Sequence, residues 1–366
     1  MAESPVSQSS KLSFLQIFRA FAAGIVAVAH MAKEISGNAA FAGSATLHQL
    51  RSGTFGVDVF FVISGFIMIY TTRRAEGGFG DAAGFLQRRL LRIVPIYWFY
   101  TSLFLAVTLL HPAALNHSMT GIAHVIGSYF FVPVPRPEDG VMEPTLGLGW
   151  TLNYEMYFYG IFTLLLLLPR RHLFAALALY FVSTVLIGVL FDRNALMLWY
   201  WTRTNVLEFV FGAVIAEMYL RRVEIKPWLA VIAIGVALAG WQLAYVHYSY
   251  GVEDANLRGF VWGVPAAILV GAVALCVQAR DVLSSGRMAA YLVMIGDSSY
   301  SLYLSHMFVV RIVTLLLPVA AFGPFYPAAF IAAALCLCIV VAQFSYIWLE
   351  RPVAEHGKAL LEARGG

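Results

Sequence analysis

Ten stretches of mostly apolar residues recur along this chain, at roughly 14–33, 54–72, 91–111, 150–168, 172–190, 202–220, 228–246, 259–278, 297–317 and 325–348. A helix needs about 20 such residues to cross a hydrocarbon core, so each one is long enough to span a bilayer. Sixty per cent of the 366 residues are apolar and 12% are charged, a balance that would leave large apolar patches on a water-soluble chain. The lipid bilayer is therefore the expected solvent. The first run carries Arg19 in its interior and is followed by similar runs, so it reads as a span and not as a cleaved signal. Two shorter pieces, 122–132 and 286–295, read as interfacial or re-entrant segments. The expected fold is all-α and integral to the membrane, with about ten transmembrane helices in one bundle.

Charge sets the expected orientation. With ten spans and the N-terminus inside, sixteen of the 24 lysines and arginines fall in cytoplasmic segments, six on the other face and two within spans. That asymmetry places both termini in the cytoplasm, and the formal net charge of +4 reads as topology and not as nucleic-acid binding. No internal repeat or low-complexity linker interrupts the chain. The expected organisation is a short tail over 1–13, a polytopic membrane domain over 14–352, and a second short tail over 353–366. Cys276, Cys336 and Cys338 lie in apolar runs and imply neither disulfide nor metal site. The longest non-cytoplasmic loop, 112–149, holds Glu138, Asp139 and Glu143 and is long enough to cover a site. Within it, Asn116-His117-Ser118 matches a glycosylation acceptor, a pattern short enough to recur by chance.

An ionised side chain at a helix centre costs about 2.5–3.5 kcal/mol on insertion scales, so each one needs a partner, a wet cavity or a function. Arg19 and His30 are eleven residues apart, which at 100° per residue places them on one helix face about 16 Å apart along the axis. The plain alternative is that Arg19 snorkels and His30 packs or caps. Asp58 falls near the outer end of the second run, at the expected depth of His30, where a carboxylate would fix the imidazole tautomer and leave its other nitrogen basic. Glu155 shares a face with Thr151 and Tyr159, a polar stripe suited to a cavity. Trp150 and Asn153 precede it, and Ser299, Tyr303 and His306 recur at i, i+4 and i+7 in the ninth run. A buried His306 bonded to a nearby carbonyl is the plain alternative there. Glu208 and Glu217 are expected to pair with Arg203 and with Arg221 and Arg222.

Arg88, Arg89 and Arg92 open the third run, followed by Pro95, Tyr97 and Trp98. Topology control and anionic lipid account for such a cluster. A nucleotide-bearing donor would use the same side chains, because arginine grips phosphate bidentately.

Six motifs in order resemble the acyltransferase-3 family of membrane O-acyltransferases, and within it the exopolysaccharide acetyltransferase branch. They are the Arg19-to-His30 spacing; Gly56-Val57-Asp58-Val59-Phe60-Phe61 and its extension to Phe66; Arg88-Arg89-Leu90-Leu91-Arg92-Ile93-Val94-Pro95; Gly149-Trp150-Thr151-Leu152-Asn153-Tyr154-Glu155-Met156; Ser299-Tyr300-Ser301-Leu302-Tyr303-Leu304-Ser305-His306; and Glu350-Arg351-Pro352. The resemblance covers residues 14 to 352. It implies a ten-helix bundle using a cytoplasmic acyl-CoA, acetyl-CoA foremost, to modify a carbohydrate hydroxyl on the other face, with no permanently bound cofactor. His30 matches the family's essential histidine and Arg19 its paired arginine. Some members carry a fused extracytoplasmic esterase-like domain, which this sequence does not include.

The expected catalytic residues are His30 with Asp58 or Glu155 to orient it. Arg19, Arg88, Arg89 and Arg92 are expected to hold the donor, and Trp150, Asn153, Tyr303 and His306 to line the acceptor cavity. Expected partners are the acyl-CoA, a carbohydrate acceptor such as exopolysaccharide or a lipid-linked glycan, membrane lipid and polysaccharide-biosynthesis proteins, in a bacterial inner membrane. The rival reading is a proton-coupled transporter or flippase of a polar solute, since intramembrane Asp, Glu, His and Arg also mark such pathways.

Overall fold

The computed structural model describes residues 12–111, 121–191, 195–248 and 256–365. The Asn116-His117-Ser118 pattern and residues 1–11 of the N-terminal tail lie outside the described residues. Every regular element among the described residues is helical. In chain order these are α1 (Ser13–Ser36), α2 (Ala45–Leu50), α3 (Gly56–Thr71), α4 (Phe79–Leu110), α5 (Ile122–Tyr129), α6 (Trp150–Leu165), α7 (Arg170–Gly188), α8 (Leu196–Trp201) and α9 (Val206–Leu220). The remainder are α10 (Pro227–Tyr248), α11 (Arg258–Val261), α12 (Gly263–Ala274), α13 (Val277–Leu283), α14 (Gly286–Asp297), α15 (Ser299–Leu316), α16 (Val319–Phe322), α17 (Tyr326–Ser345) and α18 (Arg351–Gly365), with short 3-10 and π turns between some of them.

Among the described residues, seven helical stretches are long and apolar enough to cross a membrane, and eight if a bent pair counts as one span. The chain is a multi-pass membrane protein. The bent pair joins Arg258–Ala274 to Val277–Leu283 at 88°, where the sequence shows one continuous run. The break has a local cause: the Ile225 amide donates to the Leu275 carbonyl at 3.0 Å, and Cys276 turns extended with φ −104° and ψ 115°. Helices α6 and α9, at 16 and 15 residues, are shorter than the apolar runs that contain them. The leucines after α6 run into Pro169, and a residue before proline is pushed out of the helical region. Ahead of α9, Arg203, Thr204 and Asn205 form a turn whose carbonyls accept from the amides of Val206, Leu207 and Glu208. The segments 122–132 and 286–295 hold helices of eight and twelve residues, too short to span.

The chain forms two compact units, each assembled from separate stretches. Unit one comprises 1–74, 203–300 and 319–339; unit two comprises 75–202, 301–318 and 340–366. In unit one, α3 and α9 approach until their backbones touch. A Cβ on Gly65 would lie 2.0 Å from the Phe209 carbonyl oxygen, and one on Gly212 would lie 1.9 Å from that of Val62. With no hydrophobic drive between helices in lipid, association rests on this close packing of small residues. In unit two, Phe85 of α4 packs on Phe162 of α6 at 4.9 Å between ring centroids. Gly149, just ahead of α6, leaves room for the Tyr97 hydroxyl, which would sit 2.6 Å from a Cβ placed there.

Candidate functional site

The candidate residues divide between the units. Arg19, His30 and Asp58 belong to unit one, and Arg88, Arg89, Arg92, Trp150, Asn153, Glu155, Tyr303 and His306 to unit two.

Arg19 and His30 both project from the unbroken helix α1. Arg19 is buried and its Nη1 donates to the Gln16 Oε1 at 3.0 Å. The His30 Nδ1 lies 2.9 Å from the Val26 carbonyl oxygen. A carbonyl only accepts, so Nδ1 carries the proton and Nε2 is the basic nitrogen of the neutral ring. The tautomer is thus set within α1 by a carbonyl one turn back. Asp58 has other company: its Oδ2 accepts from the Arg258 Nη2 at 2.9 Å, and its carboxyl lies against that of Glu208. Asp58 and Glu208 are both fully buried. Spacing along the sequence held no sign of this ion pair, because Arg258 stands 200 residues away. Nor did it show that Glu208 sits against another acid where an arginine was expected.

In unit two the three arginines of α4 do not act as one group. Arg88 and Arg92, four residues apart, share a helix face. Arg88 is exposed and folds towards Gly84. Arg89 turns instead over the rings of Phe85 and Tyr159, at 5.6 and 6.0 Å from their centroids. There it feels the charge of Glu155, whose carboxylate accepts the Tyr159 hydroxyl. Glu155, Tyr159 and Arg89 are therefore one polar cluster, which extends the polar stripe of α6 onto α4.

Tyr303 donates its hydroxyl to the Leu148 carbonyl at 3.0 Å and meets the Thr151 hydroxyl at 3.0 Å. It ties α15 to the start of α6. His306 is fully buried, with Nδ1 2.7 Å from the Tyr303 carbonyl oxygen, the bond that plain packing expects. Trp150 is half-buried and meets Tyr154 edge to face at 6.1 Å. Asn153 is fully buried beside Tyr200, whose hydroxyl donates to the Trp150 carbonyl at 3.1 Å. Tyr200 was not among the residues the sequence singled out. It sits in the aromatic run Trp199-Tyr200-Trp201, which the fold brings to α6. Among the described residues, no group of three or more His, Cys, Asp or Glu side chains is arranged to hold a metal.

The family model described as an acyltransferase domain matches residues 12–343. The exopolysaccharide production protein ExoZ of Rhizobium meliloti is 35% identical over 321 residues, which are 87% of this chain and 95% of that protein. The acyltransferase MdmB of Streptomyces mycarofaciens is 28% identical over 329 residues, 82% of this chain and 79% of that one. The O-acetyltransferase OatA of Staphylococcus aureus is 24% identical over 343 residues, 84% of this chain and 54% of its own length. No solved structure matches the chain.

Proposed function

The chain belongs to the acyltransferase-3 family and is an acyltransferase, and on that footing we propose that it is a membrane O-acetyltransferase with cytoplasmic acetyl-CoA as donor and an extracytoplasmic carbohydrate hydroxyl as acceptor. Two relatives support the choice: ExoZ is named for exopolysaccharide production and OatA as an O-acetyltransferase. A bacterial inner membrane fits this donor and acceptor, and polysaccharide-biosynthesis proteins are natural partners. The proposed topology counts the seven long helices, the bent pair, α6 and α9 as ten crossings, with both termini cytoplasmic.

The observation that carries the chemistry is the bond from His30 Nδ1 to the Val26 carbonyl. It leaves Nε2 as the base. In the proposed step Nε2 takes the acceptor hydroxyl proton as the oxygen attacks the thioester carbonyl carbon. The C–S bond breaks, and the proton passes on to the departing CoA thiolate, leaving an ester and free CoA. Arg19, on the same helix, supplies positive charge for the donor or for the oxyanion. Arg88 and Arg92 are the phosphate-holding pair of α4, and Arg89 is positioned by Glu155 and Tyr159. Trp150 and Asn153 remain acceptor contacts in this reading, and Tyr303 and His306 support them.

General-base help is worth about 10²–10⁴-fold. His30→Ala is therefore expected to lose at least about 100-fold of the acetyl transfer from labelled acetyl-CoA to cell-envelope glycan, while purifying as folded protein. Equal transfer by both proteins would remove His30 from the mechanism. Labelled acetyl trapped on the wild-type protein would show that Nε2 attacks the thioester itself.

A further inference from the structure

The Asp58 and Glu208 carboxyls present an unsolved account of protons. Both residues are fully buried. Asp58 Oδ2 accepts from Arg258, but among the described residues Asp58 Oδ1 and both oxygens of Glu208 are sealed from solvent and accept no hydrogen bond when both acids are taken as ionised. Two carboxylates in contact repel, and a buried acceptor without a donor carries the full cost of its lost water. Arg258 brings one positive charge, so two ionised acids would leave the cluster with a net negative charge. Among the described residues, no ionisable group other than these three acts on the pair. Helix α12, packed beside them, offers only small and apolar side chains.

The position of Glu208 is built into the fold. A Cβ on Gly263 would lie 2.5 Å from its Cγ and 3.2 Å from its Oε1, so a larger residue at the start of α12 would displace this side chain. The contacts between Gly65 and Phe209 and between Gly212 and Val62 fix α3 against α9 at the same joint.

We propose that Asp58 and Glu208 share a single proton, so that with Arg258 they form a neutral cluster, a proton-binding site that joins α3, α9 and α11. One proton supplies the missing donor, turning two repelling acceptors into an acid-to-carboxylate hydrogen bond. The charge then sums to zero. Glu208 is in this account a positioning residue: it acts by holding Asp58 and, through it, Arg258.

Infrared difference spectroscopy on the purified full-length protein at neutral pH tests this directly. Wild type minus Glu208→Gln is expected to show the carbonyl stretch of a protonated carboxylic acid. Asp58→Asn should lose the same band, because the remaining acid is then needed as the anion beside Arg258. Gly263→Ala should lose or shift it by displacing Glu208. Glutamine can still donate to Asp58, so Glu208→Gln is expected to keep its unfolding midpoint within about 3 °C of wild type, while Glu208→Ala falls further. Absence of the band, or a fall in midpoint for Glu208→Gln as large as for Glu208→Ala, overturns the shared proton.

Discussion

At the residue scale, single hydrogen bonds decide which role a polar side chain has. Asp139 sits outside the spans and accepts from the Val141 amide at 3.0 Å and from the Arg136 guanidinium at 2.7 Å. Both bonds favour the carboxylate, so its pKa lies below the ordinary 3.8. The loop ordering it supplies is complete above that ordinary value and is lost as pH falls through the lowered one. The protection of the Val141 amide from hydrogen exchange, taken relative to its intrinsic rate, should therefore fall in strong acid, and Asp139→Ala should show the lower protection already at neutral pH. Tyr303 makes the parallel case inside unit two. Tyr303→Phe removes the donor to the Leu148 carbonyl and should cost about 1 kcal/mol, read as a fall in thermal midpoint. His30 was legible as a candidate from its spacing to Arg19, but the carbonyl that sets its tautomer was not. Any helical histidine has a carbonyl four residues back, and only the rotamer decides whether it is used.

At the element scale, the helices were legible where length and hydropathy agreed: α1, α3 and α7 fall where the apolar runs place them, while α4 ends with its run but starts at Phe79, ahead of the run's start at 91. The runs misjudge ends that depend on backbone partners. The leucines after α6 are as apolar as those within it, and the bend after α12 depends on the Ile225 amide reaching Leu275. Hydropathy carries no information on either. The same limit hid the joint of α3 and α9, since a glycine in an apolar run has no hydropathy that marks it as a contact. Gly65→Ala and Gly212→Ala each drive a methyl into a carbonyl oxygen of the facing helix. Each should lower stability by about 1–3 kcal/mol, the usual cost of overpacking, seen as a lower midpoint. A neutral result for both would show that the helices separate without penalty.

At the scale of the whole molecule, the ten-crossing proposal makes α6 and α9 short spans and puts the turn between α6 and α7 in the cytoplasm. A cysteine replacing Arg171, in a background where Cys276, Cys336 and Cys338 are serine, should react with an impermeant reagent only after the membrane is opened. Labelling of intact cells would leave α6 outside the count of spans. The division into units also bears on how the chain is made. Residues 75–202 must be synthesised between the first and second stretches of unit one, which at about 5–20 residues per second is a wait of roughly 6–25 s. During that interval Asp58 is in the nascent chain without Glu208 or Arg258, and the backbone face of Gly65 is open. A ribosome stalled in that interval would hold an acid-bearing helix that has neither its cation nor its partner acid.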